Sequence, residues 1–283
     1  MTVTTRQPSQ PSEFAEAKAV NNVFQRERRD RSEQLGTLGL QSLIVLTLLG
    51  SWQALAILTT WNVWISSPTN IWDQLRIWAE SGLLWEGTSF TLQATLLGFA
   101  IGAVGGLVAG ALMGSMRRFG GLIEPLILAI YSIPKIALAP LFVLWFGIDL
   151  LPKIMLAALL VFFPVFFSVY QGFLTIDQEL LGVTRLMGAN RIALMRKVAM
   201  PYSAAWMFSG LKIGLPYALI GAVVGEFIAS TKGLGYMISS ASSVFNTAGV
   251  FAGLVVLMVI STVLSFGLSS VEHRVLHWSG KGV

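Results

Sequence analysis

Few side chains in this sequence are equipped for chemistry, and those that are stand within or beside long apolar runs. Lys135 lies about 13 residues into one such run, directly after Pro134 and five residues before Pro140. An ionisable group at that depth of a membrane span is costly and faces a cavity or a partner. One reading is a lysine that meets an anionic solute. The others are a structural pair with an acidic residue, or a helix break that lifts the ammonium toward an interface. Glu226 closes a later apolar run, where a carboxylate would gate or contact a solute, or would sit at a water-reached rim and be neutralised by Lys232. Lys212, near the other end of that run, is expected to snorkel to the interface. His273 and His277 are four residues apart and would share a helical face. With no Cys and no acidic cluster nearby to complete a ligand set, no metal is expected there, and with Trp278 they read as interfacial anchors. The absence of Cys also removes disulfides and thiol nucleophiles. No Gly-x-x-x-x-Gly-Lys-Ser/Thr loop occurs, so ATP hydrolysis by this chain is not expected, and no nucleophile and base form a catalytic set.

The elements that position these residues follow from composition. The 283 residues are 54% hydrophobic and only 12% charged, with a mean hydropathy of +0.71. Such a chain cannot cover itself with a hydrated surface and belongs in a bilayer. Six windows are long and apolar enough to cross about 30 Å of hydrocarbon: 40–61, 91–113, 122–146, 151–170, 205–228 and 250–270. In the second, Gly98, Gly102, Gly106 and Gly110 recur every four residues and offer one face to a closely packed neighbour. Residues 1–39 form a polar tail, unlike a cleaved signal peptide. With that tail inside, fourteen Lys and Arg fall on the cytoplasmic side. Three, Arg76, Lys153 and Lys232, fall outside. Both termini are therefore expected in the cytoplasm, and the net charge of +5 reflects inside loops rather than nucleic-acid binding. Trp61, Trp64, Trp72, Trp78 and Trp85 surround the first outer loop as interfacial aromatics do.

The inside connection 171–204 reads as helical. Asp177, Gln178 and Glu179 suit a first helical turn, Gly188 suits a stop, and Asn190 suits the N-cap of a second short helix starting at Arg191. Pro201 ends that helix or opens the next span. Ile192, Met195 and Val198 make an apolar stripe, with Arg196 and Lys197 pointing away from it. A short helix with an apolar stripe and a basic flank is a natural knob for a partner's groove.

These residues resemble the binding-protein-dependent inner-membrane permeases of ABC importers, in the branch that includes nitrate, sulfonate, taurine and bicarbonate systems. That family's cytoplasmic signature is Glu-Ala-Ala, three residues, Gly, nine residues, then Ile-x-Leu-Pro. Here Gly188 is followed after nine residues by Val198-Ala199-Met200-Pro201, while Gly182-Val183-Thr184 stands in place of Glu-Ala-Ala. Ser132-Ile133-Pro134-Lys135 through Leu144-Trp145-Phe146-Gly147, and Gly225-Glu226 through Gly233-Leu234-Gly235-Tyr236, are similar to two further family segments. The resemblance implies an all-α membrane protein with six transmembrane helices, like the permease of a type I ABC importer. It implies a permease domain over 40–273, containing the coupling loop 171–204, between cytoplasmic tails 1–39 and 274–283. Gly188, Ala189, Asn190, Arg191, Leu194, Arg196 and Pro201 would form the ATPase-coupling segment, with Lys135 and Glu226 on the substrate pathway. ATP would be bound by separate ABC ATPase subunits and no cofactor by this chain. Its partners would be those ATPases, an extracytoplasmic substrate-binding protein, a second permease copy and membrane lipid. A small solute, anionic like nitrate, sulfonate or bicarbonate, is expected, although branch members also carry vitamin precursors. An ion-coupled secondary transporter is the alternative, and a membrane enzyme built on Lys135 and Glu226 a weaker one.

Overall fold

The computed structural model describes residues 40, 43, 44, 46–58 and 62–276. The chain divides into two units, Met1–Asn62 and Val63–Val283. In the first, the backbone is helical at Leu40, Leu43 and Ile44 and over α1 (Leu46–Leu58), the part of the first apolar window that the described residues cover. A single turn, α2 (Asn62–Ile65), lies at the division.

The second unit continues with α3 (Pro68–Glu80), which is started by Ser67, whose Oγ accepts from the Asn70 amide, and by a proline in its first turn. It buries Ile71 and Trp78 and leaves Trp72 exposed. The tryptophan belt is therefore divided: Trp64, Trp72 and Trp85 are exposed, Trp78 is a core residue, and Trp61 lies outside the described residues.

Three long helices form the heart of this unit: α4 (Leu83–Ser115), α7 (Leu150–Leu174) and α10 (Met200–Ile228). At 1.5 Å per residue, the 33 residues of α4 extend about 50 Å, more than a hydrocarbon layer requires. The middle helix is α7, because glycines line both helices that flank it. A Cβ on Gly106 would fall 2.7 Å from the Phe162 carbonyl oxygen and 2.8 Å from the Val165 Cβ, and one on Gly110 would fall 2.8 Å from the Val169 Cβ. On the other side, Gly210, Gly214 and Gly221 of α10 lie against Ser168, Val161 and Ala157. In a bilayer, where lipid is as apolar as Leu, this close backbone approach provides the packing that holds helices together. Leu156, Val161, Val165 and Val169 are buried in the resulting seam.

The third apolar window, 122–146, is not one helix. It is α5 (Arg117–Tyr131), a 3-10 turn (Lys135–Leu138) and α6 (Ala139–Phe146), with the two halves bent by 71°. Pro134 supplies no N–H and disfavours helical backbone at Ile133, so the ladder stops there. The last helical amide, that of Ser132, still bonds the Leu128 carbonyl, to which the Ser132 Oγ also donates. The described residues thus hold four helices able to span, one bent pair in the third window, and α1 in the first.

Between α7 and α10 lie α8 (Gln178–Leu186) and the single turn α9 (Arg191–Leu194). After α10 come α11 (Leu234–Ser243) and α12 (Thr247–Val275). Asn246 caps α12, its Oδ1 accepting from the Gly249 amide, and its side-chain amide donates to Gln74 of α3 at 3.0 Å. Arg117, at the start of α5, donates to the Leu174 and Ile176 carbonyls at 2.9 and 3.0 Å and so closes the carbonyl end of α7.

Candidate functional site

The segment predicted to couple is built by local signals. Asp177 caps α8 by accepting from the Glu179 amide at 2.8 Å. Gly188 takes φ +84°, a left-handed conformation suited to glycine, and the Ala189 amide turns back to the Thr184 carbonyl. The Asn190 Oδ1 accepts from the Ala193 amide at 2.7 Å, starting the next helix. That helix does not stop at Pro201. It runs from α9 through a π-turn (Met195–Ala199) directly into α10, with the Met200 amide bonded to the Met195 carbonyl. Pro201 cannot donate and would crowd the carbonyl four residues back, and widening the preceding turn accommodates it.

The apolar stripe is placed differently from the expectation. Ile192 is 68% exposed, whereas Met195 is half-buried and Ala199 is buried. Leu194, Met195 and Ala199 face a cavity, whereas Ile192 is exposed, as are Leu186 (89%) and Met187 (83%) at the end of α8. Arg196 and Lys197 are also exposed, and the Arg191 side chain lies outside the described residues.

Lys135 stands at the helix break. Its Nζ donates to the Tyr131 carbonyl at 2.7 Å and lies 3.8 Å from the Tyr131 ring centroid and 4.9 Å from that of Phe163. Two aromatic faces and a carbonyl freed by the break hold the ammonium, and among the described residues no carboxylate pairs with it. The helix break offered by the sequence is observed, and among the described residues the acidic partner is not.

Glu226 is 1% exposed and does not sit at a rim, and Lys232 does not neutralise it. Lys232 pairs instead with Glu86 at 2.6 Å, which raises the Lys232 pKa above the ordinary lysine value through that hydrogen bond and charge. The Glu226 carboxylate accepts from the Thr91 Oγ1 at 2.8 and 3.0 Å and from the Gly235 amide at 2.7 Å. The same Thr91 hydroxyl accepts from the Leu234 amide at 2.8 Å. Leu234 and Gly235 open α11, so a threonine from α4 and a carboxylate from α10 satisfy its first two amides. Gly233 permits this, because its φ is +106° and a Cβ there would lie 2.5 Å from either carboxylate oxygen.

Lys153, counted by sequence among outer-loop cations, is instead a buried residue of α7 with 0% exposure. Its Nζ donates to the carbonyls of Ile148, Asp149 (2.8 Å) and Ala229 (2.5 Å), and its stem packs on Gly225 beside Glu226. Lys212 does not snorkel free. It forms an ion pair with Glu272, linking α10 to α12. His273 has its Nδ1 2.7 Å from the Ser269 carbonyl, and His277 and Trp278 lie outside the described residues.

With a capped loop feeding a span at one end and a buried polar latch at the other, family comparison is decisive. The profile of the family described as binding-protein-dependent transport system inner membrane component matches residues 102–277, more than half of the chain. The chain belongs to that family. It is 36% identical over 238 residues to a probable ABC transporter permease of Haemophilus influenzae, covering 84% of this chain and 96% of that one. It is 34% identical to the riboflavin transport permease RibX of Chloroflexus aurantiacus (92% and 97% covered) and 33% identical to the putative aliphatic sulfonates permease SsuC of Bacillus subtilis (70% and 72%). The fold is similar to that of the inward-facing MetNI methionine ABC transporter, with a TM-score of 0.59 at 21% identity over 67% of this chain and 94% of the other.

The protein is thus an all-α inner-membrane ABC transporter permease of the kind expected, and a transport subunit rather than an enzyme. Sequence reasoning missed Thr91, Lys153 and Glu272 in this permease. The signal for Lys153 was available, since a lysine three residues into an apolar run is as unusual as Lys135. Thr91 gave none, because a hydroxyl in a span ordinarily bonds its own helix.

Proposed function

We propose that this permease forms the pathway of an ATP-driven importer, taking a small solute from an extracytoplasmic binding protein, with both termini in the cytoplasm and two copies making the channel. The bounds proposed from sequence are retained: tails at 1–39 and 274–283, and a permease domain at 40–273 with the coupling loop 171–204. ABC ATPase subunits dock on the segment containing Gly188, Ala189, Asn190, Arg191, Leu194, Arg196 and Pro201. The observation that carries this is the set of exposed apolar residues Leu186 and Met187 at the end of α8 and Ile192 in α9, with basic Arg196 and Lys197 on the stretch continuous with α10. An apolar knob with a cationic flank suits a groove with acidic edges. Gly182-Val183-Thr184, which departs from the family signature, lies in α8 just before Leu186.

The solute class follows from Lys135. Its ammonium, held at a helix break by two rings and one carbonyl and by no carboxylate, has capacity left for an anion. An anionic solute such as a sulfonate accords with the sulfonate permease among the relatives, whereas the riboflavin permease carries a flat heterocycle that suits the same aromatic faces. Glu226, already bonded to its own chain, acts through positioning on this reading. The test is Arg196→Glu in the assembled transporter. Uptake and transport-linked ATP hydrolysis should fall at least tenfold with unchanged membrane insertion; wild-type uptake would refute the docking assignment. Uptake that resists an uncoupler but stops on ATP depletion separates this mechanism from an ion-coupled carrier.

A further inference from the structure

A cavity of about 760 Å³ lies beneath the coupling segment, where α4 turns into α5 and α7 gives way to α8. Its wall is divided by chemistry. One part is apolar, with Phe119, Phe173, Leu181 and Leu194, and the other carries Arg117, Arg118 and Arg185. Among the described residues no carboxylate lies within ion-pair distance of these three guanidinium groups. Arg117 is occupied with the carbonyl end of α7, but Arg118 and Arg185 are exposed and free of such clamps.

Three cations of one sign around one hollow repel one another, and an anion that enters removes that cost. The depth of the hollow identifies the kind of anion. Arg117 and Arg118 begin α5 directly after the end of the 33-residue α4, and Phe173 and Ile176 mark the end of α7. This is the level at which apolar spans pass into polar loops, the headgroup layer of a bilayer. Met116 and Phe119 of the lining are themselves exposed, an apolar margin against which acyl chains can lie. A soluble anion would need the arginines alone, whereas an amphiphile uses both walls.

We propose that this cavity is a binding site for the headgroup of an acidic phospholipid, with Arg118 and Arg185 as its phosphate contacts and the apolar wall receiving the glycerol and first methylenes. The site bridges the α4–α5 turn to α8, and Leu194 and Met195 of the coupling helix form its far side. A bound lipid therefore braces the coupling segment against the spans. The experiment uses the intact transporter, permease with its ATPase, in nanodiscs of phosphatidylcholine with or without 30% phosphatidylglycerol (on the order of bacterial anionic content). Wild type should hydrolyse ATP several-fold faster with phosphatidylglycerol and retain it through detergent exchange, as read by native mass spectrometry. Arg118→Gln should keep the phosphatidylcholine rate and lose the increment, and the double variant Arg118→Gln/Arg185→Gln should reduce lipid retention about fivefold per arginine. Equal retention by the double variant would overturn the site. So would replacement of the lipid effect by inorganic phosphate, which would make the ligand a soluble anion. A fall in the phosphatidylcholine rate of Arg118→Gln would place that arginine against the ATPase instead.

Discussion

Replacing Thr91 with Val tests the polar latch at the α11 end most directly. The two side chains have nearly the same shape, so no cavity forms and the loss is that of the hydroxyl alone. That hydroxyl donates to both oxygens of Glu226 at 2.8 and 3.0 Å and accepts from the Leu234 amide at 2.8 Å. A hydrogen bond to a charged group contributes about 1.5–3 kcal/mol, and a buried amide left without an acceptor costs about 1–3 kcal/mol. Leu234 is fully buried, so water cannot replace the lost partner. Thr91→Val should therefore destabilise the permease by about 3–4 kcal/mol. Thr91→Ser keeps both bonds and loses one methyl, worth about 1 kcal/mol. The assay is thermal unfolding of the purified permease in detergent, paired with hydrogen exchange at the amides of Leu234 and Gly235. In the Val variant both amides should exchange faster than in the Ser variant while α7 amides stay protected. If Val and Ser are equally stable and the two amides keep wild-type protection, the latch contributes nothing and the reasoning fails.

At the α4–α7 seam, Gly106→Val places a branched side chain against backbone and Val165 that cannot yield, at a cost of about 3 kcal/mol or more, and folded protein in the membrane should fall sharply. Gly105→Ala, whose Cβ would meet only the edge of the Phe162 ring at 3.3 Å, should leave that yield near wild type. For the pair linking α10 to α12, Lys212→Met or Glu272→Leu alone leaves one half-buried charge without its partner; the double variant should be more stable than either single one in thermal unfolding, with a coupling of about 1 kcal/mol or more. Lys232 responds to pH: Glu86 raises its pKa above 10.5, so the stability from their tie is fully present below that value and is lost as pH rises through the higher, folded-state value. Proteolysis at the 229–233 loop should be constant across neutral pH and increase in strongly alkaline buffer, and Glu86→Gln should give the faster rate already at neutral pH, with the difference from wild type vanishing in the alkaline range.

What the sequence revealed was set by how far apart the cooperating residues lie. The glycines at 98, 102, 106 and 110 repeat along one helix, so their face was legible without knowing that α7 would fill it. Gly188 and Asn190 act on amides within five residues, and their capping roles were equally visible. The latch was not, because Thr91 and Glu226 are 135 positions apart and the lysine contact from Lys153 to Ala229 spans 76. Charge position was a partial guide: Lys153 looked like an outer-loop cation yet is enclosed by carbonyls, whereas Lys232 does lie in an exposed loop, paired with Glu86. The broken helix at 132–134 carried its own signal in Pro134, and hydropathy alone hid it because the residues on either side of the break are equally apolar.

The two ends of α10 show how a single helix can connect an exposed knob to a distant latch. At its start the backbone runs without a gap from α9 through the π-turn, so a displacement of Ile192 or Arg196 rotates the first turn of α10 as well. At its finish Glu226 caps α11, and the Ala229 carbonyl accepts from Lys153 of α7. Between them α10 lies on α7 through Gly210, Gly214 and Gly221, small residues with no side chains to interlock, which permit sliding more readily than interdigitated Leu would. Pro216 removes one rung of the helix and gives it a place to bend. A force applied at the knob is therefore either absorbed as bending near Pro216 or delivered to the carboxylate at the far end. Because that carboxylate already accepts from two donors, the Thr91 hydroxyl and the Gly235 amide, the second outcome needs both to exchange partners together, a discrete change rather than a gradual one.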